Sequence, residues 1–472
     1  MEKLGLLDQL FYKADEYGIA NIVMGGAWIL EPARPRGQLN LYRVADHIMA
    51  RLEKIPRLRQ KFIQDPLRIG RLRKVEDSRF DIRQHILTER VAAPGDSTQL
   101  AIALGRVCSQ PVDIKELWRF TLLDGLQGGR LMLVMQLHHA LFDGLGAGQV
   151  ISSLYDSVPV RLEKPVGGTA PPTEEPGSFT LLGDSVMESA RRLFVSTPLF
   201  VRDNTLPLAK ALAGGIRDLI SSGSATLAMP EMHATILNTA ATSGKRVVAY
   251  RTLSLPEFKA LARHHHATVN DLALLLFSYA LEYFLRKTGE KLEFDLFCSM
   301  PISTRSEEST AGNQVTAGRI NLHNTVSDPL ERLQAIQIDT RKSKQAARPE
   351  SPTAVDIQAL GELVSPLALE GLLFTFRTLG LFKRLGSGFP LVHAILSNLP
   401  GPREDLFIGN SRLAESIPII PAGGMVAVSG GITSVSDTIT MGFNCDADVV
   451  PHPELLAEGV DYGLAILKKA AG

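Results

Sequence analysis

The chain is poor in cysteine and carries no net charge. Three cysteines occur in 472 residues, at Cys108, Cys298 and Cys445. Their number and wide spacing fit neither a disulfide framework nor a metal site, and favour a reducing compartment. Lysine plus arginine and aspartate plus glutamate each number 50, so positive and negative charges balance. This balance argues against nucleic acid as the main partner, because such proteins usually have a basic surface.

Long apolar runs are also missing. No stretch approaches 18 uncharged apolar residues, which is about the length that a membrane-spanning helix requires. The first eight residues lack a basic region followed by a long apolar one, so we expect no signal peptide. Any contact with a membrane is therefore expected to be peripheral.

Length and composition predict a folded protein of two or three domains. The chain is 45% hydrophobic and 21% charged, as is usual for soluble folded proteins, and it is too long for one compact core. Residues 1–162 are predicted as an N-terminal α/β domain, 163–245 as a linker with bridging helices, and 246–472 as a second α/β domain. Two amphipathic helices within 181–228 are expected to bridge the domains, with lipid contact as the alternative.

Hydrophobic periodicity and turn residues predict individual elements in both domains. The predicted strands are 21–30, 118–123, 131–137, 246–255, 292–300, 392–396, 430–435 and 438–444. The predicted helices are 41–51, 146–155, 256–264, 268–286 and 454–470. We expect the strands 118–123 and 131–137 to form a hairpin, because a glycine-rich turn separates them.

The segment 138–144, His-His-Ala-Leu-Phe-Asp-Gly, carries the clearest chemical signal. It follows the apolar strand 131–137, which places imidazole at the end of a strand, where it can meet a ligand instead of more core. An unperturbed imidazole has a pKa of about 6.5 and exchanges a proton near neutral pH. Asp143 is close enough to stabilise the turn, and Gly144 permits backbone angles that other residues resist. A histidine at a strand end is often structural, but the pair followed by Asp-Gly favours a catalytic role.

Two further clusters have competing interpretations. Residues 51–74 contain nine lysines and arginines, which form either a solvated face or a dock for an anionic headgroup or the phosphates of a cofactor such as CoA. The run His264-His265-His266 invites a metal interpretation. Consecutive helical residues point about 100° apart, so a solvated helix end is favoured, and no metal site is predicted.

These motifs and others resemble the bacterial wax ester synthase/diacylglycerol acyltransferases, within the CoA-dependent acyltransferase superfamily. The superfamily motif His-His-x-x-x-Asp-Gly is residues 138–144. The matches that are specific to the family run almost end to end: Leu7-Asp8 with Phe11, residues 56–60, Asp113 with Leu117-Trp118, residues 268–271, residues 301–305, residues 312–315 and residues 397–402. Departures include Glu116 in place of a proline and Gly146-Ala147 in place of Ser-Gly, and they bear on substrate choice.

The resemblance implies a fold and a reaction. The fold is an α/β, or α+β sandwich, protein of two chloramphenicol-acetyltransferase-like domains with the active-site channel between them. The reaction transfers a fatty acyl group from acyl-CoA to a long-chain alcohol, to diacylglycerol, or to both. Acyl-CoA is a co-substrate, and no permanently bound cofactor is expected. The implied location is cytoplasmic, with peripheral contact to the inner membrane or lipid inclusions, and an oligomer remains possible.

The resemblance also implies roles for particular residues. His139 is the general base, and His138 supports the loop or has a secondary catalytic role. Asp143 is structural, paired with Arg305 or, as second choice, Arg319. The remaining candidates are Asn270 as an oxyanion donor or a helix cap, Asn398 as a substrate contact or a turn residue, Trp118 as a substrate contact or core packing, and Gly144 as a site of close substrate approach.

Three other functions stay open at this point. The first is a related acyltransferase that uses a polyketide or a carrier-bound acyl donor. The second is a non-catalytic lipid-binding or lipid-droplet coat protein that kept the fold, although the intact His139 and Asp143 count against it. The third is a metal-dependent hydrolase, for which no additional ligand cluster is present.

Overall fold

The computed structural model describes most of the chain. It covers residues 2–19, 22–33, 40–142, 144–165, 175–191, 233–239, 243–303, 315–346, 365–380, 392–402, 404–423 and 426–470. Two predicted site residues, Asp143 and Arg305, lie outside these ranges, as does most of the predicted bridging region, 192–232.

Helices and strands alternate along both halves of the chain. The helices are α1 (Leu6–Glu16), α2 (Leu41–Leu52), α3 (Ser97–Ser109), α4 (Gly144–Leu154), α5 (Ser178–Arg191), α6 (Leu255–His264), α7 (Val269–Lys287), α8 (Pro329–Ala346), α9 (Pro366–Thr378) and α10 (Glu454–Ala470). The strands are β1 (Glu2–Lys3), β2 (Val23–Glu31), β3 (Gln60–Ile63), β4 (Arg73–Glu76), β5 (Ile86–Arg90), β6 (Trp118–Asp124), β7 (Leu131–His138), β8 (Arg246–Ser254), β9 (Phe297–Ser303), β10 (Val315–Asn321), β11 (Ala394–Leu399), β12 (Phe407–Ile408), β13 (Ser411–Ile419), β14 (Val428–Val435) and β15 (Thr438–Asp446).

Several helices begin at a residue whose side chain caps them. The Asn40 side chain accepts a hydrogen bond from the Arg43 N–H at the start of α2, and Asp96 caps α3 in the same way. Helix α7 starts with a capping box, in which Thr268 and Asp271 bind each other's backbone N–H groups. Such caps satisfy N–H groups that have no partner within the helix.

The first sheet has the strand order β12-β13-β2-β7-β6-β5. Its centre is β7, which pairs antiparallel with β2 on one side and β6 on the other. Every residue of β7 is buried, because helices cover both faces of the sheet. Trp28 and Leu133 pack in the core that includes α2 and α4, while Ile29 and Val134 pack in the core that includes α3.

The second sheet has the order β10-β9-β11-β14-β15-β8. Strand β11 runs parallel to both of its neighbours, and the other pairs are antiparallel. Helix α7 is the centre of the core on one face of this sheet, and its residues from Asp271 to Leu281 are all buried. Helix α10 packs beside α7 at Gly459, where an added Cβ would lie only 2.6 Å from the Ala280 Cα. A small third sheet has the order β1-β4-β3.

The C-terminal half of the chain contributes strands to both large sheets, and the two sheets pack against each other. Strands β12 and β13 come from the C-terminal half of the chain but pair with the first sheet through β2. The opposite side of β13 contacts β14 and β15 of the second sheet. At this contact a Cβ on Gly431 would lie 2.8 Å from Pro418 Cβ, which is closer than carbon atoms pack. Residues 407–419 of the predicted C-terminal domain are therefore part of the N-terminal sheet.

Most predicted elements are confirmed with small shifts at their ends. The hairpin of 118–123 and 131–137 is β6 and β7, and the helices predicted at 41–51, 256–264, 268–286 and 454–470 are α2, α6, α7 and α10. The strand predicted at 292–300 begins later, at Phe297. Of the two predicted amphipathic helices, α5 lies within the described residues. It is attached to the first half of the chain by the ion pairs Asp184–Arg73 and Glu188–Lys3.

In the parts of the chain that the structure describes, no helix alone has both the length and the apolar composition to cross a membrane, whereas α6 and α7, joined at a 98° bend, pass that test together on length and composition only.

Candidate active site

The His-His pair lies where β7 ends. His138 is the last residue of the strand, and its N–H donates to Leu117 O at 2.7 Å. The His139 N–H donates to Ile22 O at 2.9 Å, and the Leu141 N–H donates back to His138 O at 2.9 Å. The chain therefore turns immediately after the buried strand, and the structure confirms that the histidines lie where a strand of the sheet ends.

His138 is fully buried and its ring has a defined tautomer. Its Nδ1 accepts a hydrogen bond from the Ala140 N–H at 3.1 Å, so the neutral ring carries its proton on Nε2. Nε2 lies 3.4 Å from Asp15 Oδ2, and the Tyr12 ring packs edge-on at 5.9 Å between centroids. These contacts hold the His138 ring at the turn between β7 and α4, and its role in the reaction stays a prediction.

His139 is only partly buried. Its ring packs against Phe11 of α1 with 4.8 Å between centroids, and its backbone is held by Ile22 O. Of the two histidines, His139 alone keeps part of its surface open. A general base needs access to the proton that it removes, and the role of His139 as that base stays a prediction.

Helix α1 positions both imidazoles. Phe11, Tyr12 and Asp15 lie on one face of α1 because residues three and four apart share a helix face. Sequence reasoning singled out Phe11 as part of the family opening but missed Tyr12 and Asp15. The amphipathic spacing of α1 was the available signal, but it does not reveal which strand end the helix faces.

Asn270 and Asn398 contact each other. Asn398 Nδ2 donates to Asn270 Oδ1 at 3.3 Å, and Asn270 Nδ2 lies 3.5 Å from Met300 Sδ. The helix-cap alternative for Asn270 is wrong, because Thr268 caps α7. The turn alternative for Asn398 is also wrong, because Asn398 lies in β11, opposite Ile432 of β14.

The other candidates fall in different places. Gly144 is the first residue of α4. The pairing of Asp143 with Arg305 stays a prediction, since both residues lie outside the described ranges. Arg319, the second choice, lies on β10 with its guanidinium 3.9 Å above the Phe297 ring.

Trp118 is in the core and not at an open surface. It is fully buried, its Nε1 donates to Leu58 O at 2.7 Å, and His85 stacks on it at 4.1 Å. Burial lowers the pKa of His85, which favours the neutral ring in this stack. The packing alternative therefore describes Trp118, and the substrate-contact interpretation needs an exposure that the indole does not have.

The basic segment 51–74 is largely neutralised by carboxylates from elsewhere in the chain. Within the described residues each of its cations except Arg57 has an acidic partner; examples are Arg51–Asp156, Lys61–Glu175, Arg68–Glu16 and Arg73–Asp184. Arg57 lies over the Phe142 ring at 4.9 Å. The segment is thus an ion-paired face, which leaves little free charge for an anionic dock.

Within the described residues, the remaining titratable clusters do not form a second reactive centre. All three cysteines are buried, and burial raises the pKa of Cys108 and Cys298 to about 12 and that of Cys445 further. Their thiols are therefore protonated and poor nucleophiles. His264, His265 and His266 lie at the end of α6, and no group of three or more His, Cys, Asp or Glu side chains within the described ranges is arranged to hold a metal ion.

Solved structures define the class of fold. The wax ester synthase/diacylglycerol acyltransferase from Marinobacter aquaeolei VT8 aligns over 100% of both chains with a TM-score of 0.67 and 20% identity. A mutant starter condensation domain of rhizomide synthetase RzmA, in complex with C8-CoA, aligns over 100% of this chain and 94% of that chain with a TM-score of 0.52 and 15% identity. The predicted fold class, a mixed α/β protein similar to chloramphenicol acetyltransferase, is confirmed.

Sequence comparisons identify the family. The wax ester synthase/diacylglycerol acyltransferase catalytic domain matches residues 4–273, and the WS/DGAT C-terminal domain matches residues 311–468. The probable diacylglycerol O-acyltransferase tgs2 from Mycobacterium tuberculosis is 26% identical over 458 residues, which are 95% of this chain and 95% of that protein. The chain belongs to the wax ester synthase/diacylglycerol acyltransferase family, as the motifs predict.

Proposed function

We propose that the protein transfers a fatty acyl group from acyl-CoA to the hydroxyl group of diacylglycerol or of a long-chain alcohol, with His139 as the general base. The observation that carries this proposal is the contrast between adjacent histidines. His138 is buried, with Nδ1 bound to Ala140 and Nε2 beside Asp15, while His139 remains partly exposed beside Phe11. Family membership and the acyltransferase names of the relatives support the reaction class.

The proposed reaction has two steps. His139 takes the hydroxyl proton as the acceptor oxygen attacks the thioester carbonyl, which forms a tetrahedral intermediate. The carbon–sulfur bond then breaks, and the imidazolium returns the proton to the departing CoA sulfur. General-base assistance of this kind contributes about 10²–10⁴-fold to the rate.

No acyl-enzyme is included in this proposal. Covalent catalysis requires an activated nucleophile, and burial keeps the three thiols protonated. Asn270 is the proposed donor to the oxyanion, and its amide is held by Asn398 at 3.3 Å. A donor of this kind must be pre-oriented to stabilise charge that develops in the transition state.

The test is release of free thiol from palmitoyl-CoA in the presence of hexadecanol or a diacylglycerol. We expect release that depends on the acceptor, and a loss of about 10²-fold or more in kcat for His139→Ala. His452→Ala is the matched control, because His452 is an exposed histidine near the start of α10. Wild-type rates in His139→Ala would contradict the proposal.

The same assay separates the rival functions. Thiol release without any acceptor indicates a hydrolase. Tight acyl-CoA binding without release indicates a lipid-binding homologue. Release only from a carrier-bound acyl donor indicates the related acyltransferase. The ratio of the rates with hexadecanol and diacylglycerol ranks the two acceptors.

A lipid surface is the proposed partner, and α5 is the proposed contact. Its acidic residues Asp184 and Glu188 attach it to the protein, while Phe179 and Met187 are 91% and 71% exposed. Exposed apolar side chains on one helix face fit the interfacial region of a lipid layer. Sedimentation with phospholipid vesicles tests this; we expect Phe179→Ser with Met187→Ser to reduce the bound fraction, and an unchanged fraction would contradict it.

A further inference from the structure

Arg319 has two buried N–H donors that the rest of the described protein does not use. Its Nε and Nη2 atoms are buried, and no acceptor in the described residues lies within hydrogen-bond distance of either. Nε and Nη2 form one edge of the guanidinium group, so their N–H bonds point in nearly the same direction. That edge matches two oxygens of a carboxylate or phosphate group. Arg73 has the same two donors unpaired, but Asp184 neutralises its charge, whereas Arg319 has no ion pair within the described residues. Buried donors without a partner are destabilising, so the combination of an unpaired edge and an uncompensated charge at Arg319 points to a missing ligand.

The surroundings of Arg319 do not compensate its charge. The nearby His393 accepts the Phe297 N–H at Nδ1 and contacts His233 O through Nε2. It is therefore neutral and presents no acceptor to Arg319. Burial lowers the pKa of both side chains. Arg332 makes an informative comparison, because it also lies over a ring, that of Tyr279, but pairs with Glu282 at 2.8 Å.

The register of the second sheet shows which face carries Arg319. Arg319 lies opposite Ser299, which lies opposite Ile395. Two residues further along β11, Ser397 lies opposite Gly431. Residues that pair in register, or that lie two apart on one strand, share a sheet face. The Cβ position of Gly431 points at Pro418 of the first sheet, so Arg319 lies on the face that turns toward the first sheet.

The opposite face has a different role. Cys298, Leu396 and Ile320 alternate with the residues named above and pack in the core around α7. Arg319 thus lies apart from that core, on the side of the sheet where substrate is expected between the two halves. Ser299 is its neighbour across the strands and supplies a hydroxyl group that is half-buried.

We propose that Arg319, together with the Ser299 hydroxyl, binds a phosphate group of acyl-CoA on this face of the second sheet. The identity of the ligand rests on the proposed function, whereas an oxoanion site at Arg319 does not. The two N–H groups of the Nε–Nη2 edge donate to two phosphate oxygens, and Ser299 donates to a third.

The test measures binding of CoA and of pantetheine, which lacks the phosphates, by isothermal titration calorimetry. We expect Arg319→Gln to weaken CoA binding about 10- to 100-fold, as for loss of charge-assisted hydrogen bonds, and to leave pantetheine binding unchanged. Arg251→Gln is the matched control. Arg251 lies on β8 at the other edge of the same sheet and pairs with Asp461, and its loss should leave CoA binding unchanged.

Two outcomes would overturn the inference. One is CoA affinity of wild-type strength in Arg319→Gln. The other is an equal loss of CoA and pantetheine affinity in that variant, since this would show that the edge does not act on the phosphates. Arg319→Lys, which keeps the charge but loses the paired donors, provides a second test if Arg319→Gln does not fold, and it should also weaken CoA binding.

The design separates this inference from the proposed reaction. If Arg319→Gln transfers the acyl group with an unchanged KM for palmitoyl-CoA, the proposed reaction is supported and the phosphate site at Arg319 is contradicted. Pyrophosphate that raises the melting temperature of the wild type but not of Arg319→Gln would support the oxoanion site even if no acyl transfer is found.

Discussion

The two large sheets provide candidate functional residues in different ways. In the first sheet, His138 and His139 follow one another at the end of β7, and short-range contacts with Ala140 and Ile22 orient them. In the second sheet, Asn270 and Asn398 are 128 residues apart and meet only because α7 packs on β11. A contiguous motif can be identified in a sequence, whereas a pair assembled by packing has no local signal.

The pairing of positive charges also differs between two regions of the molecule. The basic segment 51–74 stands out in the sequence, but distant acidic residues such as Asp156, Glu175 and Asp184 neutralise much of it. Arg319 belongs to no basic cluster in the sequence, yet its Nε and Nη2 donors remain unused in the described protein. Local charge density is therefore a poor guide to an anion site, because the fold decides which charges are paired.

The junction between the two sheets gives the largest expected effect on stability. The Arg246 N–H donates to Ser109 Oγ of α3, and its guanidinium pairs with Asp446 at 3.3 Å; both charged residues are buried. Asp446→Asn leaves the buried cation without its counter-ion and should lower the free energy of unfolding by about 3–5 kcal/mol. Urea unfolding, followed by circular dichroism and by the fluorescence of Trp28 and Trp118, measures this.

The control for Asp446 is an exposed pair of the same kind. Asp461 pairs with Arg251 at 2.7 Å, and both side chains are more than 40% exposed, so Asp461→Asn should cost less than about 1 kcal/mol. Both tryptophans lie in the first sheet. Coincident transitions by the two probes indicate that the sheets unfold together. An equal loss in both variants would contradict the special role of the junction.

The asparagine pair should affect the reaction more than stability. Loss of an oxyanion donor in Asn270→Ala should lower kcat by about 10²–10³-fold with little change in KM. Asn398→Ala removes only a hydrogen bond that orients Asn270, and a loss of about 1 kcal/mol corresponds to roughly 5-fold in kcat. The double variant should be no slower than Asn270→Ala. Full activity in Asn270→Ala would show that the second sheet does not supply the donor.

The smallest expected effect is the pH dependence of stability, to which one histidine in each half of the chain contributes. Burial lowers the pKa of His85 in the first half and of His393 in the second. Below pH about 6.5 the unfolded chain binds protons that the folded protein resists, so stability falls as pH falls. The loss is at most about 1.4 kcal/mol per pH unit for each histidine.

Replacing one histidine at a time assigns this effect to a region. In urea unfolding at pH 8, 6.5 and 5.5, the free energy of unfolding of His393→Gln should fall less with pH than that of the wild type. The variant of the exposed residue, His452→Gln, should lose as much as the wild type. If the free energy of unfolding of His393→Gln falls with pH as much as that of the wild type, His393 does not contribute to the pH dependence.

Elements with a regular pattern were predictable, whereas β13, the strand from the C-terminal half that joins the first sheet, was not. The apolar run of β7 and the capping box of α7 mark those elements in the sequence. Strand β13 was not predicted, and it contains Pro418, which has no N–H group to donate to the sheet. It lies opposite Gly26 of β2, and that pairing across almost 400 residues has no local signature.

The sequence alone determined the family, the fold class and the position of the two histidines, because these depend on contiguous motifs and on residues that are near one another in the chain. Only the tertiary structure decided that His138 is buried, that Asn270 meets Asn398, that Trp118 belongs to the core, and that Arg319 keeps two unused donors. The reason is physical: burial and pairing depend on which surfaces long-range packing brings together, and local patterns do not contain that information.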